Sequence, residues 1–168
     1  MMKSTLALHP TSWTRRLQHA VLYFAVAMII GSILVGFVFE NMAVMTGVFQ
    51  RSGMSAAAAT QAASTFLVWY RLVAVLFCLF YVLGAYVSWQ GKTWAFWYVI
   101  LVFGMFGAGG VIFVPLQDTG LQGWGLVISE LTDGSSFLIG AILFGTYVRY
   151  RTPWVQVRTT NVGGATHQ

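Results

Sequence analysis

"TFLVWYRLVAVLFCLFYVLGAYVS", residues 65–88, carries one charged side chain, Arg71, in a run that is otherwise almost wholly apolar or aromatic. As a helix rising about 1.5 Å per residue it would be about 36 Å long, enough to cross a hydrocarbon core about 30 Å thick. It shows no strand-like alternation, and a segment in lipid has to satisfy its own backbone hydrogen bonds, so a helix is the expected form.

Three more stretches read the same way, near Ala20–Phe39, Trp94–Leu116 and Trp124–Tyr147. The chain is 58% hydrophobic and 8% charged, a balance a soluble domain of this size could not keep off its surface. The expected fold class is therefore all-α: a polytopic integral membrane protein built as an antiparallel bundle of four transmembrane helices. One transmembrane domain, 20–150, is expected between an N-terminal segment, 1–19, and a tail, 151–168.

Basic residues set the orientation. With the N-terminus inside, the inner side receives Lys3, Arg15, Arg16, Lys92, Arg149, Arg151 and Arg158, and the outer side only Arg51 and Arg71. Both termini are thus expected to be cytoplasmic. Trp89, Trp94, Trp97 and Trp154 fall near the inner boundary, and Trp69, Tyr70 and Trp124 near the outer one, as interface anchors do. Arg15 and Arg16 precede the first apolar run as a twin-arginine pair. That run ends in "FVFENMAV" without a small-residue cleavage site, so it reads as a retained span rather than a signal.

The outer loop 40–64 contains "SGMSAAAATQAAS", in which Ser52 or Ser55 can cap a helix of strong helix formers. Such a helix would either lie along the interface or extend the second span outward. "SWQGKTW" is a short inner connection that makes spans two and three a hairpin, and "LQDTGLQG" does the same outside for spans three and four. The tail after Pro153 has no apolar periodicity and is expected to be disordered beyond Val157.

In "SELTDGSS", residues 129–136, two carboxylates sit inside the fourth span. Glu130 and Asp133 are three apart and share a helix side with Ser129, Thr132 and Ser136. An acid near the middle of a span costs about 2.5–3.5 kcal/mol to insert, which directs these groups to the bundle interior, a water cavity or a basic partner. Arg71 lies at a comparable depth, so an ion pair of Arg71 with Glu130 or Asp133 is expected. Glu40 at the outer end of span one could join this ion-pair, proton or ligand site, although a solvated helix end is its simpler reading.

Small residues mark packing faces. Gly104, Gly107, Gly109 and Gly110 precede Pro115 in span three, where Gly104 and Ala108 have small-xxx-small spacing; Ser32 with Gly36 and Ser136 with Gly140 repeat it. The same glycine density would also suit an unwound binding segment.

Other chemistry lacks its residues. Cys78 is the single cysteine, and His9, His19 and His167 lie outside the apolar cores, so no haem or metal site is evident. There is no phosphate loop, nucleophile elbow or HExxH, and the net charge of +5 forms no nucleic-acid stripe. The fragments "VIFVPLQD" and "ISELTDGSS" are loosely similar to small bacterial membrane proteins, so the expected location is a bacterial cytoplasmic membrane; that similarity brings no function with it.

The leading expectation is a non-enzymatic protein that works through helix association, as an accessory subunit of a larger membrane complex or as a homo-oligomer. Its partners would be membrane lipids and other membrane subunits or itself. A small ion- or proton-coupled transporter using Glu130, Asp133 and Arg71 is the first alternative. The second is a redox subunit binding a quinone or lipid near Trp69, Arg71 and Trp124.

Overall fold

The computed structural model describes residues 6–113 and 123–160. Helix α1 (Ser12–Leu34) starts at a capping box: Thr11 accepts from the Thr14 backbone N–H, and Thr14 Oγ1 accepts from the Thr11 N–H at 2.9 Å. It runs on as a π-helical segment, Val35–Phe39. Helix α2 (Met42–Arg51) is capped by Asn41, whose Oδ1 accepts from Ala43 and Val44, and it ends before Gly53, whose φ of +94° suits glycine.

Helix α3 (Ala56–Ser88) begins at Ser55 and passes without a break through the alanine run into the second apolar stretch. The loop helix therefore extends that span, while α2 folds back on it through Met45, Ala63 and Leu67. Helix α4 (Thr93–Val99), a π-helical segment (Ile100–Met105) and α5 (Phe106–Phe113) form one continuous third rod. The glycine-rich stretch is thus helical rather than unwound. Helix α6 (Trp124–Tyr150) is the fourth.

Four helices are long and apolar enough to span a membrane: Ser12–Phe39, Ala56–Ser88, Thr93–Val111 and Trp124–Tyr150. The expected end of span three at Leu116, Pro115 and most of the connection before α6 lie outside the described residues, as do Lys3 and His167. The four rods close a ring in which α1 touches α3 and α6, the third rod touches α3, and α5 touches α6.

Packing divides this ring along its length. Toward the end that holds residues 88–93, Val21, Met28, Phe96, Val99, Phe103, Ile139 and Leu143 form a closed core. The tail completes that end. After α6 the chain turns through Arg151 at φ +55° into a short 3-10 turn, Pro153–Val155, and then strand β2 (Val157–Thr160), which pairs antiparallel with β1 (Leu6–His9). The disorder expected past Val157 is thus corrected as far as Thr160: backbone pairing with β1 orders a segment that has no apolar pattern of its own.

Trp154, expected as an interface anchor, is also corrected. It is 0% exposed, and its Nε1 donates to the Lys92 carbonyl at 3.0 Å. Gln156 Nε2 donates to Gly91 O and Gln18 Nε2 to Ser88 O, each at 2.8 Å, so tail and α1 together satisfy the backbone of the α3–α4 turn.

Candidate functional site

The opposite half of the ring is hollow. A cavity of about 460 Å³ lies among all four rods. Ser32 and Val35 come from the first rod, Tyr70, Val73, Ala74 and Phe77 from α3, Met105, Phe106, Gly109 and Gly110 from the third, and Ser129, Thr132 and Asp133 from α6. Helical spacing explains the α3 set: residues 70, 73, 74 and 77 fall on one stripe. Both π-helical segments abut the cavity through Val35 and Met105, and such widened turns recur at functional sites.

The cavity floor is well packed. Ser136 Oγ donates to the Phe103 carbonyl at 2.7 Å, and Tyr81, near Ser136, meets the Phe103 ring edge-on at 5.0 Å. Phe77 and Phe106 close one side with ring centroids 4.7 Å apart.

Asp133 reaches this space because the facing helix has no side chain to stop it. A Cβ placed on Gly110 would collide with the Asp133 carboxylate, and Gly107 lies against the backbone of α6 at Phe137, Asp133 and Ser136. Gly104 packs on Gly140 in the same seam; a Cβ on Gly140 would stand 2.9 Å from Gly104 N. The small residues thus bring α5 and α6 together and leave room for the acid. Gly36 faces Ala74 on α3, and Gly31, which the sequence did not single out, faces Thr132.

The expected ion pair is corrected. Arg71 is joined to neither Glu130 nor Asp133: its Nε donates to the Gly36 carbonyl at 3.5 Å, and its guanidinium carbon lies 5.5 Å from the Phe37 ring centroid. One residue along α3 from Tyr70 is a rotation of about 100°, which carries Arg71 off the cavity stripe and toward the first rod. Glu130 is half-buried beside Asp133 but does not line the cavity.

Glu40 departs from its solvated reading. It is 2% exposed, its Oε2 has no hydrogen-bond partner, and it lies with Asp133 within electrostatic reach of Tyr70. Burial pushes its carboxyl up from an ordinary 4.5 to about 7. The folded protein therefore keeps a proton that the unfolded chain gives up, and the associated stability is full below about pH 4.5 and lost as pH rises through 7. Allowing for screening at a helix end, the loss between pH 5 and pH 8 is about 1–2 kcal/mol. Thermal unfolding in detergent across this range checks it: Glu40→Gln should flatten the slope, and an unchanged slope would refute the assignment.

Trp89, Trp94 and Trp124 are exposed at helix ends, Trp124 most of all at 76%, while Trp69 is exposed within α3 and Trp97 is partly covered. Tyr70 instead turns inward to the cavity. Among the described residues, no group of three His, Cys, Asp or Glu side chains gathers as metal ligands would. Ala108 lies half-buried on α5 between the glycines of the seam. In comparisons with known proteins, no family model, curated protein or solved structure matches this chain.

Proposed function

We propose that the chain is an integral membrane protein, both termini cytoplasmic, that holds a small amphipathic molecule in the cavity between its four spans. The cavity carries this reading. Its volume of about 460 Å³ falls in the range of small-molecule sites, and its walls are mainly apolar and aromatic with a few polar groups, as such sites are. Four apolar helices and large exposed side chains such as Tyr23, Val68, Leu79 and Tyr86 support the membrane setting. The basic residues then put the cavity in the outer half of the bilayer and the packed core in the inner half.

Gly109 offers a direct test, because it lines the cavity and a Cβ there would meet nothing within 4 Å. Gly109→Leu should fill the space without forcing the backbone apart. Thermal unfolding in mild detergent against a panel of neutral, quinone, anionic and cationic aromatic molecules should reveal at least one class that stabilises the wild-type chain and not Gly109→Leu. A panel that stabilises neither, or both alike, would overturn the reading.

A second reading, assembly with other subunits or copies, draws on α3. In its most apolar window only 17% of residues are buried, against 28–33% in the other spans. That leaves one long apolar face for a helix or for lipid to cover.

A further inference from the structure

We propose that the cavity takes a monovalent organic cation, a protonated or quaternary amine on an apolar or aromatic body, with Asp133 as its counter-ion; this rests on reading the cavity as a ligand site. Among the described residues, the lining contains no Lys, Arg or His, and its one carboxylate is Asp133. That carboxylate has no hydrogen-bond or ion-pair partner among them. A carboxylate set among Val73, Ala74, Phe77 and Phe106 is costly while unpaired, and a cation of the right size removes that cost.

The surroundings point the same way. Tyr70, Phe77 and Phe106 supply ring faces, which attract cations most strongly where water is scarce. Of the other ionisable groups, Glu130 on its own helix adds negative potential at Asp133, and Glu40, which shares Tyr70 as a neighbour with Asp133, supplies no positive charge. Tyr70 and Tyr81, with Cys78 beside Tyr81, face it from α3 as neutral groups. Arg71, the cation on α3, is held against Gly36 and Phe37 and does not pair with the acid. The first and third rods contribute Ser32, Val35, Met105, Phe106, Gly109 and Gly110, none of them charged.

The probe is benzyltrimethylammonium, compared with benzyl alcohol, benzoate and benzoquinone at equal ionic strength, on the full chain in mild detergent. At a hundredfold excess over Kd the cation should raise the unfolding midpoint by about 5 °C or more. Asp133→Asn should weaken its binding at least about 30-fold. Asp133→Glu should retain part of it. If Asp133→Asn does not fold, Gly109→Leu carries the test, since it keeps the carboxylate and fills the space; the cation should then give no shift. Equal stabilisation of the wild type and Asp133→Asn by the cation would overturn the inference. Stabilisation by benzyl alcohol or benzoquinone but not by the cation would overturn it too, while the ligand-site reading would stand. No stabilisation by any probe would overturn both.

Discussion

Replacing Trp154 by alanine is expected to destabilise the protein by about 3–5 kcal/mol, the range for removing a fully buried aromatic side chain. The indole is 0% exposed, packs edge-on against Phe96 with centroids 5.2 Å apart, and satisfies the Lys92 carbonyl. Alanine leaves a void beside Phe96 and removes one of the two hydrogen bonds to the Lys92 carbonyl, which also accepts from the Phe96 N–H. It gains nothing in exchange, because the backbone at φ +57° strains alanine as it strains tryptophan. The neighbouring contacts fall with it: Gln156 loses its hold on Gly91, Thr11 its bond to Val155 O, and β2 its lead-in to β1. Thermal unfolding in detergent should show the drop, with faster proteolysis after Arg151. Trp154→Phe keeps a six-membered ring but loses the N–H and the volume of the second ring, so about 1–3 kcal/mol is expected. A Trp154→Ala midpoint within a degree of wild type would show that the tail does not close this end of the bundle.

How far this architecture can be read from the sequence depends on which physical signal each part uses. The spans are legible because their length and apolar character are local properties. Trp124, for example, is both the expected and the observed start of the last helix. Their ends are less so: α1 begins eight residues before Ala20, because the Thr11–Thr14 capping box can start a helix on residues that hydropathy scores as polar. Facing is a harder matter. In a helix that is apolar all round, nothing in the pattern separates the inward stripe Tyr70, Val73, Ala74 and Phe77 from the others, so depth alone suggested Arg71 as the partner of Glu130 or Asp133. The glycines of span three did mark the α5–α6 seam, since close approach needs residues without a Cβ. Trp154 and Glu40 gave no such signal. The first is buried by a left-handed turn that nothing in "RTPW" announces, and the second sits buried where the first rod ends, just before α2 folds back on α3.

The largest effect of a single added side chain is expected at Gly107. A Cβ there would meet Phe137 N and stand 2.7 Å from Asp133 O and from Ser136 C, all backbone atoms of α6 that no rotamer change can move aside. Gly107→Val forces α5 away from α6, and with it the seam from Gly104–Gly140 to Gly110–Asp133. Overpacking of this kind costs about 1–3 kcal/mol where side chains can shift, and more where only backbone can; we expect about 4 kcal/mol or more, and loss of the monodisperse folded peak on size exclusion. Gly134→Ala and Gly145→Ala are the controls, since a Cβ at either position meets nothing within 4 Å. Both should fold, stabilised by up to about 1 kcal/mol through helix propensity. Gly110→Ala separates packing from ligand binding, because the nearest atoms its Cβ would meet are those of the Asp133 side-chain carboxyl group. That side chain can rotate, so the variant should keep its folded peak while the carboxylate leaves the position that faces the cavity, and stabilisation by benzyltrimethylammonium should fall. If Gly107→Val folds as the wild type does, α5 and α6 do not meet through this seam, and Asp133 is not held where the cavity requires it.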